Sequence, residues 1–210
     1  MLGWPRQEQE SRPAMPRNIE TLQQKIRTLQ GQLEDEIARA GEAFRYHLEN
    51  GRVVWEDETR RYHKTLRIRW QTFLRRARPL TIVTAPVIYA LIVPFVLLDI
   101  FVSLYHAICF PAYGIPKVRR ADYIRIDRHK LEYLNAVQKL NCVYCGYING
   151  LIAWVREIAS RTEAFWCPIK HSSRVDGTHP RYPEFMDFGD AEGWDEGFAR
   201  SRAEVTRKND

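Results

Sequence analysis

The chain has 210 residues, 45% of them hydrophobic and 28% charged, and a formal net charge of +6 at pH 7. This length leaves room for one or two small domains, and the lack of GxSxG, Walker A and HExxH motifs gives no support to a catalytic function. The excess charge lies between Arg52 and Arg78, where nine basic and three acidic residues give a local charge of +6. We expect an all-α protein and have no sequence basis for assigning it a reaction.

The first part of the chain is predicted to be helical after a disordered stretch over residues 1–17. Within residues 18–78, a heptad-like stripe is followed by a second periodic set. The stripe comprises Ile19, Leu22, Ile26, Leu29 and Leu33, and the second set comprises Trp55, Tyr62, Leu66, Trp70 and Phe73. Asn50-Gly51 between them is a turn signal. Two arrangements fit: an antiparallel helical hairpin closed at Asn50-Gly51, which buries both stripes, or one coiled-coil-like rod that pairs with a second copy.

Residues 79–113 are predicted to form a membrane insert. No charged side chain occurs from Leu80 to Leu98, which meets the length needed to cross a hydrocarbon core about 30 Å thick. A straight helix over the whole run would be about 50 Å long, and Pro86 and Pro94 interrupt it. The insert is therefore either one tilted span or a re-entrant hairpin that bends near Pro94. Asp99 has no visible partner within it and is expected to face an interface or a cavity rather than carry protons.

Both flanks of the insert are basic. The residues before it form a basic collar, which we define as the basic side chains between Arg52 and Arg78. The residues after it include Lys117, Arg119, Arg120, Arg125 and Arg128. The positive-inside rule predicts both flanks in the cytoplasm. We therefore expect the partner of the collar to be the anionic headgroups of a lipid bilayer, and we do not expect nucleic acid.

The cysteines suggest a metal site. Cys142 and Cys145 form a CxxC pair, and Cys167 and His171 form a C-x3-H pair. Together these four residues are a Cys3His set of the type that binds zinc in a tetrahedron. We predict that residues 114–171 form a small helical domain stabilised by this site.

The spacing of the cysteines also sets a geometric condition. The stripe from Leu151 to Phe165 predicts a helix of about 23 Å that ends at Trp166. The link from Gly146 to Gly150 spans at most about 17 Å. A single site therefore requires this helix to end early, or the two halves to meet across a homodimer. The alternatives are buried structural thiols, a redox dithiol, or an iron–sulfur cluster that recruits Cys109.

Residues 172–210 are predicted to form an extended tail laid over the helical core. Asp190 is a suitable N-cap for a short last helix that carries Trp194 and Phe198. Glu157 and Arg161 stand four residues apart on a predicted helix, where a solvated ion pair is expected.

Several motifs resemble those of a protein family. The segments Val93–Asp99, Cys109-Phe110-Pro111, Asn141–Cys145 and Trp166–His171 are similar to a group of uncharacterised proteobacterial inner-membrane proteins with NCxYC and WCPIKH motifs. The resemblance covers roughly Arg75 to Asp190; it implies a bacterial inner-membrane location and brings no activity or ligand.

Two functions from different classes fit the sequence. The first is a membrane-anchored interaction or scaffold protein whose soluble parts, mostly cytoplasmic, bind a second copy or another protein. The second is a membrane-bound redox or electron-transfer component that uses the cysteines or an iron centre. The first is favoured because no cofactor-binding fold or acid–base pair can be identified.

Overall fold

The computed structural model describes residues 17–43, 46–49 and 52–207. The chain divides into two compact units, with the boundary between Tyr62 and His63. The predicted all-α class is confirmed: the described residues form seven α-helices, with one short β-hairpin and three 3-10 helices as the other regular elements. The stretch expected to be disordered lies outside the described residues, except for Arg17.

The first unit contains a long helix and a β-hairpin. Helix α1 (Arg17–Ala43) has 27 residues. Strands β1 (Tyr46–Glu49) and β2 (Arg52–Trp55) pair antiparallel, with Glu49 opposite Arg52. Asn50-Gly51, the predicted turn, lies outside the described residues.

The predicted helical hairpin and the continuous rod are therefore both wrong for this region, because the chain reverses in a β-hairpin. The physical reason is local. Tyr46 of β1 and Val53, Val54 and Trp55 of β2 are of the aromatic and β-branched types that favour strands over helices. The second periodic set is divided between α2 (Asp57–Thr65), which crosses the boundary between the units, and α3 (Trp70–Arg76).

The predicted membrane insert folds as one long helix. Helices α4 (Pro79–Ala90) and α5 (Ile92–Tyr113) are joined by Leu91, which keeps right-handed helical geometry with φ −62° and ψ −15°. The combined segment Pro79–Tyr113, called the apolar helix below, has 35 residues and is long and apolar enough to cross a membrane by length and composition. The re-entrant hairpin predicted near Pro94 is not formed. Pro94 removes one backbone donor there, and the N–H of Phe95 still reaches the carbonyl of Leu91 at 3.4 Å.

The chain then turns and runs back through a return segment, residues 114–135. Gly114 ends α5 with φ +71°, and the N–H of Ile115 donates to the carbonyl of Phe110 at 2.9 Å. A left-handed glycine with this bond is a common helix stop. The return segment contains two 3-10 helices, Arg120–Asp122 and Arg128–Lys130.

Helix α6 (Ala136–Trp166) is unbroken over 31 residues. It begins at a capping box in which Asn135 and Gln138 each accept the other's backbone N–H at 3.0 Å. The link expected from Gly146 to Gly150 is absent, and both glycines lie inside the helix. The hydrophobic core of this unit forms where α5, the return segment and α6 meet. Its buried members are Phe110, Ile115, Val118, Leu151, Trp154 and Ile158.

The tail packs on the end of α6, as an extended arm would. The N–H of Met186 donates to the carbonyl of Pro168 at 2.9 Å, and the N–H of Lys170 donates back to Met186 at 2.7 Å. A third 3-10 helix covers Tyr182–Glu184, and α7 covers Trp194–Thr206. The carboxylate of Asp190 accepts the N–H of Gly193 at 2.9 Å, so it precedes α7 by one turn rather than capping it directly.

Candidate membrane-binding site

The apolar helix has an inner and an outer face. Its partly or fully buried positions recur every three or four residues and form one stripe, which we call the inner face. The inner face comprises Ala85, Tyr89, Ile92, Phe95, Asp99, Val102, Ser103, Tyr105, His106, Cys109, Phe110 and Tyr113. The remaining sides are exposed and apolar, and Phe101, opposite the stripe, is 68% exposed. None of the most apolar stretch of this helix is buried against other described residues.

Helix α6 runs parallel to the apolar helix along most of its length. The Tyr89 hydroxyl donates to Asn141, and the Tyr147 hydroxyl donates to Asp99 at 2.8 Å. Further along, the rings of His106 and Trp154 lie 5.4 Å apart. Near the end of both helices, the rings of Tyr113 and Phe165 stack at 5.2 Å. The contacts advance in the same direction on both helices, so α6 accompanies the inner face from its first third to its last residue.

The return segment lies over the same two helices and carries charge to the middle of the apolar helix. The Arg120 guanidinium makes a two-pronged hydrogen bond to Asp99, with Nη2 2.6 Å from Oδ2. Ser103 and Tyr147 also donate to this carboxylate. The hydrogen bond to Asp99 raises the pKa of Arg120 further above its ordinary value, and burial together with Asp99 raises the pKa of Tyr147. Asp99 is therefore a positioned ion-pair partner, whereas no partner for it was visible in the sequence of the insert.

His106 fixes the start of the return segment. Its Nε2 accepts the backbone N–H of Val118 at 2.9 Å, and the indole N–H of Trp154 donates to the Val118 carbonyl at 3.2 Å. Both polar groups of one return-segment residue are thus paired from two different helices. This satisfies backbone that would otherwise be buried without partners.

The two glycines of α6 set how closely the return segment approaches. A Cβ atom added at Gly150 would lie 2.8 Å from the Cα of Ile124 and from the carbonyl of Tyr123. At Gly146 the nearest atom would be the Arg125 carbonyl oxygen at 3.1 Å. The sequence suggested a link between helices here, but both glycines lie inside α6 and allow the backbone of the return segment to approach closely.

The predicted metal ligands are not brought together within one chain. Cys142 and Cys145 lie on α6, and Cys167 follows its last residue. Twenty-two residues of continuous helix put Cys145 and Cys167 about 33 Å apart. Cys167 and His171 belong to the tail connection, where His171 stacks on Tyr182 and accepts or donates a 3.1 Å hydrogen bond to its hydroxyl. In the part of the chain that the structure describes, no three His, Cys, Asp or Glu side chains are grouped to hold a metal. The described structure therefore does not bring the Cys3His set together within one chain, and metal binding stays a prediction.

A partly buried charge cluster attaches the tail to α6. Arg181 donates to Glu157 through both terminal nitrogens, at 2.9 and 2.7 Å, and Arg161 donates to the same carboxylate at 2.8 Å. Burial alone would raise the pKa of Glu157, but the hydrogen bonds from Arg181 and Arg161 outweigh it and lower that pKa. The Glu157–Arg161 pair is therefore a structural contact rather than the solvated pair expected from the sequence. Arg181 could not be identified as its third member because it follows 24 residues later.

Beside this cluster lies a cavity of about 590 Å³. Two carboxylates and five basic residues line it, namely Glu184 and Glu204 with Lys117, Arg161, Arg181, Arg200 and Arg207. Its net positive charge suits an anionic group better than a cation.

Comparison with known proteins identifies no relative: no protein-family model, curated protein or solved structure matches the chain.

Proposed function

We propose that this chain is a membrane-anchored interaction protein. The observation that supports it is the outer face of the apolar helix, which is exposed and apolar along the helix while the inner face packs against α6 and the return segment. Exposed apolar surface of this extent is unusual on a soluble monomer and is typical of a lipid-binding or protein-binding face. Lipid is the favoured environment for this face, because no charged side chain occurs in the 19 residues after Pro79.

The charges at the start of the helix favour a bilayer with anionic lipids. Arg75, Arg76 and Arg78 are exposed directly before Pro79. Basic side chains at this position bind anionic headgroups and orient the anchor. With the family resemblance, this supports a bacterial inner membrane, with the flanking parts on its cytoplasmic side.

The interaction surface that we propose lies on α1. Its apolar stripe includes Leu22, Ile26, Leu29 and Leu33, each more than half exposed. A helix of this kind is only marginally stable by itself and gains stability by burying its stripe against another helix. The proposed partner is a second copy of the chain or another protein with a matching helix.

Zinc binding remains a prediction for a site that two copies of the chain form together. Since Cys145 and Cys167 are far apart on one helix, the CxxC of one copy would have to meet the Cys167–His171 pair of another. Elemental analysis of detergent-purified protein, with a visible spectrum of the same sample, tests this. One zinc per pair of half-sites without colour would support it, whereas iron with visible absorbance would support the electron-transfer alternative.

Flotation with lipid vesicles tests the proposed anchor. The full-length variant Leu97→Lys/Phe101→Lys places two charges on the outer face without removing a buried side chain. A lysine at the centre of a helix in hydrocarbon costs about 2.5–3.5 kcal/mol, so this variant should lose most of its vesicle-bound fraction. The matched control Ala199→Lys/Ala203→Lys adds the same charge at exposed positions of α7 and should float like the wild type. Equal flotation of all three proteins would contradict lipid anchoring by this face.

A further inference from the structure

We propose that the apolar helix lies in the plane of the membrane, with its outer face in one leaflet and the return segment on the water side. This inference rests on the proposed membrane anchoring and specifies its geometry. It differs from the transmembrane crossing that length and composition alone suggest.

The first argument is that only one side of the apolar helix is available to lipid. Its inner face is occupied along its length by α6 and by the return segment, from Tyr89 beside Asn141 to Tyr113 beside Phe165. Protein therefore covers one side of the helix from Tyr89 onward, and the outer face is the side that is left for lipid.

The second argument is the charge that lies level with the middle of the apolar helix. Arg120 pairs with Asp99, three residues from the midpoint of Pro79–Tyr113. The return segment then continues past Gly150 and Gly146 with Asp122, Arg125, Asp127 and Arg128 all exposed. A crossing helix would carry these ionised side chains into the hydrocarbon beside it, where charged groups are strongly disfavoured.

The third argument is the length of the accompanying structure. Helix α6 stays beside the apolar helix over 25 residues, from Asn141 to Phe165 and beyond, which is about 37 Å. This exceeds the thickness of the hydrocarbon core, about 30 Å, so a crossing apolar helix would carry much of α6 into the lipid beside it. An in-plane helix keeps α6 and the return segment above the membrane and leaves both basic flanks at the same surface.

Depth measurement along the outer face tests this geometry. Five outer-face positions lie within about 40° of one line along the helix: Val83, Ala90, Leu97, Phe101 and Ile108. A genetically encoded clickable residue at each position, one per full-length protein, would carry a spin label and leave the four native cysteines in place. The relative accessibility to oxygen and to a water-soluble nickel complex reports the depth of each label in vesicles of zwitterionic and anionic phospholipid. A label at Ala199 on α7 serves as the water-exposed reference.

The proposal expects all five labels at a similar, shallow depth in the lipid. A profile with Leu97 deepest and with Val83 and Ile108 near opposite surfaces would show a crossing helix and overturn the in-plane geometry, while leaving membrane anchoring intact. Labels as water-accessible as Ala199 at all five positions would overturn the anchoring itself. Labels shielded from both reagents would show that protein, such as a second copy, covers the face, and would also overturn the proposal.

Discussion

Gly150 is the residue at which the packing of α6 tolerates least change. Alanine is favoured over glycine by about 1 kcal/mol inside an exposed helix, but its Cβ would lie 2.8 Å from the backbone of Ile124 here. Backbone cannot yield as a flexible side chain does, so we expect Gly150→Ala to destabilise the second unit by about 1–3 kcal/mol. Thermal unfolding in detergent, followed by tryptophan fluorescence, measures this.

Gly146→Ala provides a graded comparison on the same helix. The nearest atom to its Cβ would be the Arg125 carbonyl oxygen at 3.1 Å, so a small shift of the return segment relieves the contact. Its loss of stability should be smaller than that of Gly150→Ala. If both variants were as stable as the wild type, the close approach of the return segment to α6 would be incorrect.

Single residues also show where sequence reasoning was sufficient and where it failed. The apolar run, its basic flanks and the all-α class were predictable because they depend on neighbouring residues. The role of Gly146 and Gly150 was not, since a glycine in a turn and a glycine under a packed backbone have the same local sequence. A similar limit applies to the metal site: the spacing of Cys145 and Cys167 allows a site within one chain only if the intervening helix breaks, and α6 is unbroken.

At the level of elements, the tail is attached to α6 through Glu157. The contacts with Arg181 and Arg161 lower the pKa of Glu157 in the folded state. The cluster therefore stabilises the fold at pH values above the ordinary glutamate pKa of about 4.3. This stabilisation is lost as the pH falls through the lower pKa of the folded state. We expect Glu157→Gln to lower the free energy of unfolding by about 1–3 kcal/mol at pH 7. The variant should also lose part of the wild-type decrease in stability below about pH 4.3.

Melting temperatures at pH 7 and near pH 3.8 measure both effects. Glu192→Gln changes the same residue type at an exposed position before α7 and should follow the wild type at both values. An unchanged melting temperature of Glu157→Gln at pH 7 would show that the Arg161 and Arg181 contacts contribute nothing to the folded state.

At the level of the whole molecule, the orientation of the apolar helix could not be predicted from the sequence. The run from Leu80 onward is apolar on all sides, so its pattern does not show which face meets protein. The faces differ because Arg120 returns to Asp99 from beyond the helix end, and because α6 lies along the same stripe. Both are contacts between residues more than 20 positions apart, and a hydropathy profile of the sequence does not show such contacts.

The distribution of charge over the molecule yields a final prediction about its choice of membrane. Arg75, Arg76 and Arg78 are exposed directly before the apolar helix, and each basic residue near an anionic surface contributes about 1 kcal/mol of attraction. Replacing all three by glutamine should reduce the preference for anionic over zwitterionic vesicles by up to about 100-fold at low salt, and by less at high salt because exposed charges are screened. Partition of full-length protein at limiting lipid measures this preference.

The control replaces Arg174, Arg200 and Arg207 by glutamine, which removes the same formal charge from the tail, and it should keep the wild-type preference. An equal loss in both variants would mean that net charge alone, rather than the position of these arginines beside Pro79, selects the anionic membrane.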